Sequence, residues 1–254
     1  MRPILLALAA ALAASAVHAE PTDIALRAVS RGAKFIGTSM GGVRFTLKDA
    51  RTGERLAEGV ARGGTGDTEA LMSAPRETPV AGDDASVWRA TLDLERPRLV
   101  RAVAYGPLAQ PQSAREVSAE QWIVPGRDLT GGDGWVLEMP GLVVDALAPA
   151  AHAVVGAAPA EIRVSANVTM MCGCPIEPGG VWDAAGFDVA ARIARDGAVD
   201  RVVPLAPTGE PSRFAARIRL EEAGVHEVTV VAHQPANGNT GLDRTTVIVP
   251  TGTR

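Results

Sequence analysis

The chain has 254 residues, 25 basic and 29 acidic side chains, a formal net charge of −4 and only 4% aromatic residues. This slightly acidic balance lacks the electrostatic footprint of a nucleic-acid binder or of a protein that adheres to an anionic membrane.

The first residues read as a targeting segment. Met1-Arg2-Pro3 gives a short basic start, residues 4–17 form an alanine-rich apolar run, and Val17-His18-Ala19 ends it with small residues at the positions a signal peptidase reads. A signal peptide over residues 1–19 is expected, with the mature chain starting at Glu20. The apolar run is shorter than the roughly 20 residues that cross a bilayer, and no later stretch is apolar enough to try, so no transmembrane segment is expected in the mature chain. A periplasmic or secreted protein follows. Losing Arg2 leaves 24 basic against 29 acidic side chains, a net charge of about −5. The remaining length of roughly 235 residues suits two ordinary domains. Frequent Gly, Pro, Thr and Val, short alternating runs and the lack of long amphipathic helical patterns make the expected class all-β, although the alanine content favours helix.

In the first half, Val43-Arg44-Phe45-Thr46-Leu47 alternates apolar and polar residues. Asp49-Ala50-Arg51-Thr52-Gly53-Glu54 turns the chain, and residues 55–60 lead back, which is a hairpin. Further strands are expected over 86–94, 99–105, 118–124 and 135–139. The hairpin and its turn resemble those of the transthyretin-like, or carboxypeptidase-regulatory-like, β-sandwich modules of secreted bacterial proteins, a resemblance that implies a fold and no activity. The loop Gly63-Gly64-Thr65-Gly66-Asp67-Thr68 is rich enough in glycine to cradle an anion, but no Gly-Lys-Ser/Thr follows, and a flexible connection is the simpler reading. Residues 130–134 read as a tight turn. Trp88, Trp122 and Trp135 fall in strand-like runs and are expected to anchor the core. A carbohydrate-binding platform is the alternative, at the cost of drawing on a pool of 4 Trp, 1 Tyr and 4 Phe.

A boundary is expected near Leu147-Ala148-Pro149-Ala150, dividing a transthyretin-like domain over 20–148 from a second domain over 149–254. The second half has the rhythm of an immunoglobulin-like β-sandwich: strands A over 151–157, B over 161–171, C over 186–195, then 199–205, E over 212–220, F over 225–233 and G over 244–249. Gly224-Val225-His226, followed by apolar residues at alternate positions, resembles the Gly-x-Tyr start of strand F in bacterial immunoglobulin-like and fibronectin-like domains. His226 stands in the tyrosine's place, and the resemblance implies a corner residue bonded to nearby backbone.

Chemistry concentrates in Met170-Met171-Cys172-Gly173-Cys174-Pro175, which holds both cysteines of the chain. In an immunoglobulin-like topology the loops after strands B and F emerge at the same end, here Cys172 to Ala185 and His233 to Gly241. Side-chain alternation puts Met170 toward the core and Met171 outward, turns His233 away from the face of Val228 and Val230, and leaves His226 at the far end. A mouth formed by Cys172, Cys174, Met171 and His233 offers thiolate, thioether and imidazole, a soft donor set that suits copper(I); zinc would want four firm ligands, with Asp183 a further candidate. Cys-x-Cys on such a scaffold is similar to the copper chaperones of cytochrome oxidase assembly, though the aromatic residues flanking that family's cysteines are missing.

A Cys172–Cys174 disulfide is the rival. It needs a local turn, which Gly173 permits, and it would be a labile bond more than a staple. Redox catalysis would call for a helix N-terminus or a cation to lower a thiol pKa, and neither is evident. No nucleophile-elbow sequence accompanies His152, His226 or His233. The acid pairs Asp83-Asp84 and Glu221-Glu222 sit at turns, and the oxygen-rich segment 235–243 is explained by turn chemistry without calcium. Two readings stand: an exported, non-catalytic binding or accessory module whose partner is another protein, and a copper(I)-handling or thiol-redox protein centred on the cysteine pair.

Overall fold

The computed structural model describes residues 18–75 and 78–252; most of the expected signal peptide lies outside these residues. Strand makes up 56% of the structure and helix 5%, as the turn-bounded alternating runs required. Among the described residues the strands form two pairs of sheets.

The first half is one pair. Strands β1 (Glu20–Ser30), β4 (Trp88–Leu94) and β7 (Trp135–Met139) make a sheet of order β4-β1-β7. Strands β2 (Val43–Asp49), β3 (Arg55–Ala61), β5 (Arg98–Gly106) and β6 (Arg115–Ile123) make the other, of order β3-β2-β5-β6. Their facing residues, among them Ile24, Leu26, Phe45, Leu47, Val100 and Leu137, bury a common core. The hairpin is β2–β3, with Lys48 opposite Arg55 across the 49–54 turn. The central strand β1 escaped the sequence reading for a physical reason: Ile24 through Ala28 are buried without a break, so no alternation marks it. Within it Arg27 is only 7% exposed, and its Nη1 donates to the carbonyls of Ala85 (3.3 Å) and Ser86 (3.2 Å). Burial, and then the charge of Arg89, lower its pKa from the ordinary arginine value.

The second half pairs a sheet of order β13-β14-β10-β8 with one of order β12-β11-β15-β16-β9. Its members are β8 (Leu142–Ala148), β9 (Ala153–Val154), β10 (Ala160–Met170), β11 (Asp188–Arg195), β12 (Ala198–Pro204), β13 (Ala206–Pro207), β14 (Arg213–Leu220), β15 (Gly224–Gln234) and β16 (Asn239–Val249). With β8, β10 and β14 as strands A, B and E against β11, β15 and β16 as C, F and G, this is the immunoglobulin-like arrangement.

One element differs from expectation. Strand A is β8, which hydrogen-bonds β10, and the segment expected as strand A keeps only β9, paired in parallel with β16. Pro149 lies between them, and a residue without an N–H cannot extend the ladder, so the chain changes sheets there. His226 is 2% exposed and its Nε2–H donates to the Glu222 carbonyl at 2.9 Å, the corner bond expected of it.

Candidate functional site: a cysteine cleft at the joint between sandwiches

Strand β10 ends at Met170, and the chain turns at once: the Gly173 amide donates to the Met170 carbonyl (2.8 Å) and the Met170 amide to the Cys174 carbonyl (3.2 Å). This turn carries Gly173 to a φ of +78°, a region open to glycine, and brings Cys172 and Cys174 within a Cα separation of 5.4 Å, where they form a disulfide. Both cysteines are nearly buried, at 2% and 6% exposure. They open on a cleft of about 290 Å³ whose other walls include Lys34, Ser39, Thr65, Thr68 and Trp182.

Those walls come from both halves of the chain. A short helix, α1 (Thr68–Ser73), begins at Asp67, whose carboxylate accepts from the Ala70 amide. Lys34 Nζ donates to Thr68 Oγ1 at 3.0 Å, joining two of the walls. The glycine loop that precedes α1 is tied down at its first two glycines: the Gly63 carbonyl accepts from the Thr38 amide, and the Gly64 amide donates to the Asp84 carbonyl. It is a structural wall instead of a flexible connection.

The end of the second sandwich that holds the loops after strands B and F is therefore not an open mouth. The first half covers it. Met171 points away from its own core, as alternation required, but it is fully buried in the core of the first half, while Met170 belongs to the core of the second. A Cβ on Gly173 would meet Met40 Sδ at 2.6 Å. Trp182 Nε1 donates to the Gly32 carbonyl at 2.9 Å, and Arg115 Nη2 donates to the Thr240 carbonyl at 2.9 Å.

Asn239 joins three segments. Its Nδ2 donates to the Arg31 carbonyl (3.0 Å) and Gln234 Oε1 (3.1 Å), and its Oδ1 accepts from the Gly141 amide (2.9 Å), with the side chain wholly buried. The segment 235–243, noted for its oxygens, is a four-residue turn between β15 and β16 followed by this clamp.

Of the four donors proposed for a soft metal, the structure brings Cys172 and Cys174 together and leaves the other two elsewhere. Met171 is enclosed in the opposite core. His233 faces outward on β15, its Nδ1 3.7 Å from Asp188 Oδ2. Among the described residues no three His, Cys, Asp or Glu side chains converge as a metal site would need, and sulfur atoms bonded to each other are not thiolate ligands. The four positions as they stand do not fit copper(I). His152 bonds Thr246 through Nδ1 at 2.7 Å and His226 bonds the Glu222 carbonyl, so two of the three histidines considered for catalysis are engaged in structural contacts.

The tryptophans divide. Trp135 is in the core and Trp88 packs against it, stacked on Phe45 with ring centroids 6.3 Å apart. Trp122 is 53% exposed on the edge strand β6, which corrects its expected place in the core. The signal was there to find: Glu116, Ser118 and Glu120 occupy the same alternating face of β6, and all are exposed.

No protein-family model and no curated protein matches the chain. Solved structures similar to it include an engineered protein, Northeast Structural Genomics Consortium target OR128, at 21% identity and a TM-score of 0.33, over 50% of this chain and 24% of that one. Fibronectin(III)-like modules of Clostridium thermocellum CbhA are similar at 13% identity and a TM-score of 0.30, over 82% of this chain and 78% of theirs. The chain thus spans about a quarter of the first.

Proposed function

We propose that the protein is an exported, non-catalytic binding module of two domains that works as one stiff body and offers the β12 edge to an extended segment of a partner protein. The observation that carries this reading is the exposure of that edge. Strand β12 closes its sheet, among the described residues no strand pairs its outer edge, and Val199 and Val202 are 48% and 52% exposed on it. An added strand from a partner satisfies such groups, and apolar side chains beside them supply the rest of the affinity.

Export is supported by the amino-terminal sequence and by the disulfide, which persists in oxidising compartments. Among the described residues no helix is long and apolar enough to cross a membrane. A photo-crosslinking residue placed at Val202 and activated in the native compartment should give a discrete adduct. The same residue at Arg217, on an exposed face of β14, should give none, and Val199→Lys should abolish the adduct without lowering thermal stability. Equal labelling from both positions would sink the reading.

A second reading, thiol redox or copper(I) handling at the cysteine pair, has one observation in its favour: the disulfide lines a cleft that also holds Lys34. A cation beside a thiol favours its ionised form. Anaerobic copper(I) titration of the reduced protein tests it, and stoichiometric binding lost in Cys172→Ser and Cys174→Ser would support it. Binding indifferent to both substitutions would end it.

A further inference from the structure

We infer that the cleft around Trp122 binds an acidic saccharide, a pyranose that carries a carboxylate. This site lies at the opposite end of the first sandwich from the joint and is separate from the β12 edge, so it goes beyond the protein-binding reading. Strand β6 starts at Arg115, which contacts Thr240 of the second half, and reaches Trp122 seven residues later, a distance of about 23 Å at the usual strand rise.

Two turns and the edge strand build the cleft. The 49–54 turn supplies Asp49, Arg51 and Thr52, the turn between β4 and β5 supplies Arg96, and Trp122 forms the wall, around a volume of about 370 Å³. That volume falls in the range of about 300–1,000 Å³ typical of small-molecule pockets. The frame is fixed in advance of any ligand. Asp49 Oδ1 accepts from the Arg51 and Thr52 amides, each at 2.9 Å, and the Ala50 amide donates to the Leu99 carbonyl at 2.8 Å. Preorganisation of this kind lowers the entropy lost on binding.

The lining carries three arginines against one carboxylate, in a protein whose net charge is −4. Arg98 is committed to Glu54 (2.9 Å) and Asp49 (3.7 Å). Arg51 and Arg96 have no carboxylate partner among the described residues; the Arg51 guanidinium lies 5.1 Å from the centroid of the Trp122 ring. Unpaired guanidinium groups match a ligand carboxylate in shape and charge. A half-exposed indole in a chain so poor in aromatic residues gives up core burial; Arg51 lies over its ring, and the exposed remainder of the indole is apolar surface for a sugar ring to pack on.

Asp49 decides between a sugar and an aromatic acid. Its Oδ1 is taken by the two turn amides, while its Oδ2, 3.7 Å from Arg98 Nη1, is the acceptor left for a hydroxyl donor, which a pyranose has and a simple aromatic acid lacks. Thr52 adds a hydroxyl at the same rim.

Titration calorimetry and tryptophan fluorescence with D-glucuronate, an unsulfated oligoglucuronate, D-glucose and benzoate test the assignment. Glucuronate or its oligomer should bind the wild-type protein, the stronger of the two telling whether the site takes a free acid or a polymer. Glucose and benzoate should bind about tenfold more weakly or worse, the loss expected for one charge-assisted contact or for the hydroxyl contacts. Trp122→Ala and Arg96→Ala should each weaken binding by a similar factor, and both residues are exposed enough for the fold to survive, which circular dichroism checks. Three results would overturn the proposal: neither glucuronate form binds, Trp122→Ala binds as well as wild type, or benzoate binds as tightly as glucuronate. Failure here leaves the crosslinking result at Val202 untouched, and a negative result there leaves this titration to stand by itself.

Discussion

Gly173, Asn239 and Asp49 each meet a local demand of the backbone around them. Gly173 combines a positive φ with the close approach of Met40. Gly173→Ala should therefore lower stability by about 1 kcal/mol or more, measured by urea unfolding. Asn239 satisfies the buried Gly141 amide and also bonds the Arg31 carbonyl; Asn239→Leu should cost at least about 1–3 kcal/mol, the cost of orphaning one buried polar group. An exchange to Asp keeps the acceptor for Gly141 and loses both donors, so it should not rescue.

At Asp49, hydrogen bonds from the Thr52 and Arg51 amides, helped by the hydroxyl of Thr52 and the charge of Arg98, hold the carboxyl below the ordinary aspartate value against the opposing effect of burial. A depressed folded-state pKa contributes stability that is full above the unfolded value of about 3.9 and fades as pH falls through the folded value. The amide resonances of Arg51 and Thr52 should hold steady down to about pH 4 and shift only below it; movement centred above that value would contradict the assignment.

Among elements, those bounded by turns and marked by strict alternation were legible in advance. The β2–β3 hairpin and strands β10 and β15 lie within a few residues of the expected spans, because a half-buried strand writes period two into its sequence. Strand β1 is covered on both faces and writes nothing of the kind. The corner at His226 was legible through its neighbours Gly224 and Val228. His226→Phe should cost about 1 kcal/mol through the lost bond to Glu222, and His226→Tyr should recover part of it.

The disulfide is an element of another sort. It closes a ring too short to restrict the unfolded chain much, so its reduction should lower stability by less than about 2 kcal/mol. A melting curve of the Cys172→Ser, Cys174→Ser double variant checks this; collapse of the fold would show the bond to be a true staple. Its position at the end of strand B was readable from sequence, but its neighbours were not. They belong to the other half of the chain, and no periodicity within residues 160–175 encodes Lys34, Met40 or Thr68.

At the scale of the whole molecule, the joint accounts for what the cysteine segment does. Two sandwiches meet end to end, with Met171 reaching out of one strand system into the other's core and Trp182, Asn239 and Arg115 bonding backbone across the seam. The seam contacts set where the β12 edge and the Trp122 cleft lie relative to each other in the structure.

Hydrogen exchange read by mass spectrometry on wild type and Met171→Ala tests the joint most directly. The residue follows β10, so a purely local role would loosen peptides of the second sandwich alone. Because its side chain completes the first sandwich's core, the substitution should cost about 2–5 kcal/mol and speed exchange in peptides from β1, β2 and β7 as well as β10. Faster exchange confined to residues 142–249, with the first half protected as in wild type, would contradict it.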